Sequence, residues 1–209
     1  IIGNDTSGGS NEKMTLAAWV YKTGDGGSSY GRIMQFGEGS SGEIEVLTTP
    51  TETIKFNTYW NGASVDWETS AGVISLDTWA HVVVTYDATA AGNTPVVYVN
   101  GTAVSVTQAG TAPAGSWDGI ATADCYIGNN SDQDSGWQGQ LADFAVWNSI
   151  LSPTDIKALY NAKEGVNANS YVTETFGYIS GSDGVGVPDG VPYESKYGFT
   201  AEADVIFPN

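Results

Sequence analysis

The sequence predicts an all-β protein, a two-sheet antiparallel sandwich with one short helix near residues 153–162. Stretches of alternating polar and apolar residues, which are typical of strands with one buried face, recur along the chain at roughly ten-residue intervals. Turn-forming and aromatic residues are both abundant, with 27 Gly, seven Trp, eleven Tyr and six Phe among 209 residues. A chain of this length can bury the core of one domain.

The first predicted strands lie between residues 14 and 60. The alternation is clean from Met14 to Lys22, where Met14, Leu16, Ala18 and Val20 share one face. A glycine-rich turn follows this strand. The next strands are predicted at residues 32–36, 42–47 and 54–60. Residues 61–72 are predicted to form a loop that contains Trp67.

The strongest strand signal of the chain is Trp79–Asp87, a run of aromatic and β-branched residues. Residues 95–106 are predicted to form a hairpin, because Asn100-Gly101 supplies the positive φ angles that a tight turn requires. Residues 110–119 are predicted to form a loop that carries Trp117.

The stretch from residue 126 to residue 160 predicts a strand, a polar loop, a second strand and the helix. In the second strand, residues 141–147, alternation assigns Ala142, Phe144 and Val146 to one face. Ser152 can cap the helix, Pro153 suits its first position and Asp155 favours its positive N-terminus. Its apolar stripe consists of Ile156, Leu159 and Tyr160.

The composition changes after Glu164, which divides the chain into a sandwich domain at residues 1–163 and an extended C-terminal arm at residues 164–209. Residues 165–198 are rich in Gly, Pro, Ser and Asp and show little periodicity. Phe199–Phe207 alternates again and is predicted to be a strand that completes a sheet, in this chain or in a neighbouring subunit. The alternative is a disordered tail.

The charge of the chain excludes some partners. Seven basic residues against 24 acidic ones give a net charge of −17, which repels nucleic acid and anionic membranes. No stretch resembles a transmembrane span or a signal peptide, so no membrane insertion is expected. Cys125 is the only cysteine, so no internal disulfide can form, and its apolar surroundings predict a small buried residue.

Several motifs occur in the order typical of one family. They are Thr15-Leu16-Ala17-Ala18-Trp19-Val20, Trp79–Asp87, Val97-Tyr98-Val99-Asn100-Gly101, Tyr126-Ile127-Gly128 and the block from Gly139 to Ile156. Together they resemble the laminin-G-like and pentraxin-like domains of the concanavalin A-like lectin/glucanase superfamily. This resemblance implies a jelly-roll sandwich. The first strand usual in that family, of the type F-D-G-x-x-D-Y-V, has no counterpart here beyond residues 1–5.

The same resemblance implies a calcium site. Pentraxins bind calcium through a loop that reads G-Q-E-Q-D-S, and Asp132, Gln133 and Asp134 match its E-Q-D ligands. Calcium prefers such carboxylate and amide oxygens. Where pentraxins have a second Asp-Asn pair on an earlier strand, this chain offers only Glu43. Calcium held by these four residues is one expectation, and an acidic turn in solvent is the alternative.

Catalysis is not expected from the sequence. Glucanases of the superfamily carry three carboxylates on one strand in an E-x-D-x-E pattern, and two of them serve as nucleophile and general acid. Glu43-Ile44-Glu45 approaches this pattern, but the third carboxylate is absent. His81 is the only histidine, no serine-nucleophile motif accompanies it, and its position favours a structural role.

A set of aromatic residues is predicted to lie in or beside loops, where aromatic rings could stack on sugar rings and neighbouring amides could bond sugar hydroxyls. The alternative is that the rings close the ends of the sandwich. The predicted carbohydrate-binding residues are Tyr59, Trp60, Trp67, Trp117, Asn129 and Trp137.

The sequence is compatible with two functions. The first is a non-catalytic structural protein of an extracellular or virion surface, such as a phage capsid decoration or fibre protein. Such a protein would contact copies of itself or other surface proteins through the C-terminal arm. The second is a secreted, calcium-dependent carbohydrate-binding adhesion module with glycans as partners.

Overall fold

The computed structural model of the chain describes residues 3–4, 10–38, 42–120, 124–162, 193–194 and 200–201. These residues form two main antiparallel sheets that pack into a sandwich, with one α-helix against one of them. The expected all-β class with a single short helix is therefore confirmed. No helix in the described ranges is long and apolar enough to cross a membrane.

The strands are numbered in chain order. They are β1 (Gly3–Asn4), β2 (Ser10–Asn11), β3 (Lys13–Lys22), β4 (Gly31–Gly37), β5 (Glu43–Thr48), β6 (Ile54–Trp60), β7 (Ala63–Thr69), β8 (Trp79–Asp87), β9 (Val96–Val99), β10 (Thr102–Val104), β11 (Val106–Gly110), β12 (Cys125–Ile127), β13 (Gly139–Trp147), β14 (Tyr193–Glu194) and β15 (Thr200–Ala201). The helix α1 spans Pro153–Asn161, and a 3-10 turn spans Gly27–Ser29.

The two main sheets differ in size. One has five strands in the order β10-β9-β8-β3-β13, and the other has six in the order β11-β7-β6-β5-β4-β12. The register of the five-stranded sheet is anchored by β3 and β8, which pair from Lys13 opposite Asp87 to Tyr21 opposite Trp79. In the six-stranded sheet, β4 to β7 occupy the four central positions, so their backbones are bonded on both sides.

The core lies between the two sheets and is rich in aromatic rings. Phe56 and Trp67 from the six-stranded sheet meet Tyr86 from the five-stranded sheet, with ring centroids 5.2 and 5.4 Å from that of Tyr86. The Nε1 atom of Trp60 donates a hydrogen bond of 3.0 Å to the Tyr86 hydroxyl. This bond satisfies two polar atoms in the apolar interior, where an unpartnered group would be costly.

The helix α1 covers the outer face of the five-stranded sheet. The Ser152 hydroxyl accepts from the Asp155 N–H, and the Asp155 carboxylate accepts from the Ser152 N–H, which completes a capping box. Ile156 and Leu159 are buried against residues of β3, β8, β9 and β13. The predicted helix, its cap and its apolar stripe are therefore confirmed.

Lys22 is a buried cation at the end of β3. Its side chain is 0% exposed, and its Nζ atom donates to the Thr49 carbonyl oxygen at 2.9 Å. The same atom lies 3.2 Å from Glu52 Oε1 and 3.4 Å from Asp25 Oδ1. Lys22 thus links the turn after β5 to the turn after β3 through contacts of a single Nζ atom.

Two strand predictions were wrong in detail. Residues 61–72, which were predicted to form a loop, contain β7, which pairs with β6 and places Trp67 in the core. In β13, Ala142 pairs with Trp19 but Ala145 pairs with Ala17, so the strand has one extra residue and forms a β-bulge. Leu141 therefore replaces Ala142 on the core face that Phe144 and Val146 share.

Two further sequence predictions concern Cys125 and the C-terminal arm. Cys125 is exposed on the edge strand β12, so the expected burial was wrong. In the arm, β15 pairs with β14 in a separate two-stranded sheet, so its two residues join neither main sheet. The rest of the strand predicted at residues 199–207 lies outside the described residues, and the division into two domains stays a prediction.

Candidate functional site

The outer face of the six-stranded sheet, opposite the core, carries polar side chains on its four central strands. Because side chains alternate along a strand, the residues between the core positions of β4 to β7 point to this face. We call these residues the polar face. They are Arg32, Gln35, Glu43, Glu45, Lys55, Asn57, Tyr59, Ser64, Asp66 and Glu68.

Strand register aligns the centre of the polar face into one row. Gln35 lies opposite Glu45, Glu45 opposite Asn57, and Asn57 opposite Asp66. The Nδ2 atom of Asn57 donates to Asp66 Oδ1 at 2.6 Å and to the Ser64 hydroxyl at 2.7 Å. The Nε2 atom of Gln35 donates to a backbone carbonyl at 2.9 Å. Both amides are therefore held in fixed orientations.

Two ion pairs flank this row. Arg32 Nη2 lies 2.7 Å from Glu45 Oε1, and Lys55 Nζ lies 3.1 Å from Asp66 Oδ1. The side chains of Arg32 and Glu45 are only 15% and 11% exposed. Charged hydrogen bonds at such distances are strong and directional, so the pairs hold their side chains in place.

The polar face has a buried floor and a more exposed margin. Gln35, Glu45 and Asn57 are 3%, 8% and 5% exposed. Tyr59 is partly exposed and Ser64 is exposed, and both lie at the β6–β7 side of the row. Burial on both faces of β5 is unusual for an antiparallel strand, which commonly leaves one face in water.

Burial and neighbouring negative charge on the polar face both disfavour further negative charge. Burial, and then the neighbouring charge of Glu43, raise the pKa of Glu45 to about 7, although Arg32 opposes this shift. Burial also raises the pKa of Tyr59, and Glu43, Glu45 and Asp66 raise it further. Two acidic groups on one face thus both resist ionisation.

Four buried polar atoms of this face have no hydrogen-bond partner among the residues that the structure describes. They are Arg32 Nε, Arg32 Nη1, Gln35 Oε1 and Asn57 Oδ1. Buried polar groups are nearly always bonded, because leaving one unpaired costs about 1–3 kcal/mol. In each amide the nitrogen faces an oxygen acceptor, so the open atom is the oxygen. The face therefore contains two donor and two acceptor atoms whose hydrogen bonds are unmade among the described residues, beneath the more exposed side chains of its margin.

Three of the predicted sugar-stacking rings lie in the core. Trp60, Trp67 and Trp117 are 3%, 1% and 3% exposed and belong to the cluster between the sheets. The Nε1 atom of Trp117 donates to the hydroxyl of Thr58 at 2.8 Å. Because they are buried between the sheets, these rings have no face open to a sugar. Large aromatic side chains are major contributors to protein cores.

The other predicted carbohydrate-binding residues are more accessible. Tyr59 belongs to the polar face. Trp137 is partly exposed and packs against β4, where a Cβ on Gly31 would lie 3.2 Å from its ring. Asn129 lies in the loop between β12 and β13, where its Oδ1 atom accepts from the N–H groups of Asn130 and Ser135. The structure thus brings only Tyr59 of this set onto the polar face.

The predicted calcium ligands are divided between the same loop and β5. Asp134 Oδ1 accepts from Asn130 Nδ2 at 2.8 Å and from the Ser135 hydroxyl at 3.0 Å, and these bonds lower the Asp134 pKa. Asp132 and Gln133 are exposed. In the part of the chain that the structure describes, no three His, Cys, Asp or Glu side chains are grouped to hold a metal ion. Glu43, Asp132 and Asp134 therefore form no such group, and the calcium site stays a prediction.

His81 lies on β8 of the five-stranded sheet and is not part of the polar face. It is 3% exposed, and burial lowers its pKa to about 4. Its ring lies 5.1 Å from that of Trp19 and 6.3 Å from that of Tyr160 on α1. A neutral histidine packed between aromatic rings is consistent with the structural role expected from the sequence, although its Nδ1 atom has no hydrogen-bond partner among the described residues.

Sequence reasoning missed most of the polar face. Arg32, Gln35, Asn57 and Asp66 come from three strands separated by turns, and no motif links them. A signal was present, because Lys55, Asn57 and Tyr59 alternate in the strand at residues 54–60 with a second set of residues that is apolar except for Thr58. That pattern identifies an outer face but not which strands lie beside it.

Comparison with known proteins identifies the family. Residues 2–157 match a laminin-G family model described as the concanavalin A-like lectin/glucanases superfamily. Since this match covers most of the chain, the protein belongs to that family, as its motifs indicated. No curated protein matches the sequence significantly.

Solved structures show the same fold at low sequence identity. A heptameric SAP-like pentraxin from Limulus polyphemus has a TM-score of 0.52 and 16% identity, over 71% of this chain and 70% of the pentraxin. A candidate carbohydrate-binding protein from Bacteroides ovatus has a TM-score of 0.51 and 19% identity, over 74% of this chain and 42% of that protein. This chain therefore spans less than half of the Bacteroides protein.

A third structure holds a sugar. It is the CBM40 domain of the Ruminococcus gnavus IT-sialidase bound to α2,3-sialyllactose, with a TM-score of 0.50 and 14% identity, over 71% of this chain and 83% of that domain. At such identities the similarity shows the fold alone, so the ligands of these proteins are not transferred to this chain by the comparison.

Proposed function

We propose that this protein is a non-catalytic carbohydrate-binding module and that it binds glycans on the polar face. The observation that carries the proposal is the set of four unpartnered, buried polar atoms on Arg32, Gln35 and Asn57. Sugar hydroxyls both donate and accept hydrogen bonds, so a pair of them can satisfy the two amide oxygens and the arginine N–H groups.

Tyr59 and Ser64 supply what a glycan needs at the margin of this row. The apolar face of a sugar ring packs well on an aromatic ring, and Tyr59 is a partly exposed aromatic residue on the polar face. Ser64 is exposed and lies opposite Tyr59 on the neighbouring strand. A ligand would thus find an aromatic contact beside fixed polar groups, which is the usual composition of a small-molecule site. Carbohydrate-binding relatives in fold are consistent with this proposal.

A glycan array followed by titration calorimetry tests the proposal. The best glycan from the array is titrated into wild-type protein, Asn57→Ala and the matched control Asn148→Ala, whose side chain is exposed outside the polar face. We expect Asn57→Ala to weaken binding at least tenfold and Asn148→Ala to leave it unchanged. Tyr59→Ala, which removes a partly exposed ring, provides a second variant if Asn57→Ala unfolds. Equal affinities in all variants would contradict the site.

The role predicted first from the sequence, a subunit of a phage virion or another extracellular assembly, stays a prediction. None of the relatives named above is described as a virion protein. Light scattering on the full chain and on a chain that ends at residue 164 tests it. Assembly into a defined oligomer that depends on residues 165–209 would support the structural role, and two monomers of unchanged stability would contradict it.

A further inference from the structure

The polar face contains more carboxylates than cations. Its described side chains include Glu43, Glu45, Asp66 and Glu68 but only Arg32 and Lys55 as cations. Both cations already lie within 3.1 Å of a carboxylate oxygen of the same face. Asp134, from the neighbouring loop, also interacts electrostatically with Arg32. A ligand anion would therefore meet cations that are already neutralised and a surplus of like charge.

The open hydrogen-bonding groups have the same preference. Gln35 Oε1 and Asn57 Oδ1 accept hydrogen bonds, and a carboxylate has no proton to donate to them at neutral pH. An acid placed on this row would bring its oxygens against two amide oxygens that are 3% and 5% exposed as residues. Sugar hydroxyls avoid this conflict, because each can donate to an amide oxygen and accept from Arg32.

The ionisation of two resident acids follows the same preference. Glu45 and Tyr59 both have raised pKa values, for which burial is the first cause and the charge of Glu43 the second. A negative charge is thus disfavoured at two positions beside Asn57, one opposite it on β5 and one two residues along β6, before any ligand is present.

We infer that the polar face selects uncharged glycans and excludes sugars that carry a carboxylate, such as sialic and uronic acids. This inference rests on the proposed function and names the class of ligand for that site. It distinguishes this chain from the sialidase domain of similar fold, which was solved with a sialylated sugar.

A glycan array that contains matched pairs tests the inference. The two members of each pair differ only in a terminal sialic or glucuronic acid, and the array is read at pH 7.5. We expect signal from neutral members and at least a tenfold weaker signal from their acidic partners. Signal that is equal or stronger for the acidic members would overturn the inference while leaving glycan binding established. An array without any signal would overturn the proposed function and this inference with it.

Charge removal on the face gives the second readout. In Glu43→Gln the acidic-to-neutral signal ratio should rise about tenfold, since one charge a few ångströms from the ligand is removed from a partly buried site. Glu68→Gln, at the other end of the face, should raise the ratio in the same direction and serves if Glu43→Gln unfolds. The control is Glu38→Gln, which changes an exposed carboxylate beyond the end of β4. A ratio that stays constant in both face variants would overturn the electrostatic basis of the selection.

Discussion

The raised pKa of Glu45 makes a prediction about stability that needs no ligand. Its folded-state pKa is about 7, against an ordinary value of 4.5. Below pH 4.5 the carboxyl is protonated in both folded and unfolded chains, so it adds no penalty. Between pH 4.5 and 7 the unfolded chain loses this proton while the folded chain retains it. The free energy of unfolding therefore falls as pH rises through this window.

The size of the effect follows from the two pKa values. At about 1.36 kcal/mol for each pH unit, the full penalty above pH 7 is about 3 kcal/mol. Most of it develops between pH 5 and pH 8. Glu45→Gln keeps an oxygen that can accept from Arg32 but removes the titrating carboxyl. We expect the variant to gain between about 2 and 3 kcal/mol over wild type on moving from pH 5 to pH 8.

Urea denaturation at pH 5 and pH 8 measures this difference. His81 and the acids outside the polar face titrate in both proteins, so their contributions cancel in the comparison of the variant with wild type, and only the groups coupled to Glu45, chiefly Glu43, differ. Glu38→Gln, at an exposed position, is the control that should show no pH-dependent gain. If the free energies of unfolding of Glu45→Gln and wild type change in parallel between the two pH values, the pKa of Glu45 is not raised. The described effect of burial and of Glu43 on this carboxyl would then be wrong.

Three further predictions concern the rest of the molecule. Lys22→Met should lower the free energy of unfolding by about 3 kcal/mol, because Glu52 and the Thr49 carbonyl lose a buried cation. The control Lys13→Met, which replaces a half-exposed side chain, should change this free energy little. Similar losses in the two variants would contradict the described role of Lys22. If the loop at residues 128–135 binds calcium, adding calcium to metal-stripped protein should raise its melting temperature by mass action, and Asp134→Asn should abolish this rise. A melting curve that calcium leaves unchanged would contradict the calcium site. No reducing ends should be released from β-glucans, and release that Glu43→Gln abolishes would show catalysis instead.

The fold could be predicted because its signals are local. The capping box at Ser152 and Asp155, the Asn100-Gly101 turn and the alternation of Met14–Lys22 each depend on residues within one element. The bulge in β13 escaped prediction because it depends on how that strand pairs with β3, and alternation along one strand carries no information about its partner.

The candidate site was predictable only in part, and for the same reason. Tyr59 was predicted to contact a sugar and lies partly exposed on the polar face, whereas Trp60, Trp67 and Trp117 belong to the core. A tryptophan beside a turn has the same sequence signature whether its ring points inward or outward. The row of Gln35, Glu45 and Asn57 exists only through strand register, which brings together residues that lie far apart in the chain.

The location of the bound glycan tests the central claim most directly. In a two-dimensional NMR titration of ¹⁵N-labelled protein with the best neutral glycan from the array, the account predicts that the largest shift changes occur at Arg32, Gln35, Asn57 and Tyr59 and at the side-chain amides of Gln35 and Asn57. Shift changes confined to residues 128–138, with β4 to β7 unaffected, would place the binding site in the loop and contradict the proposed site.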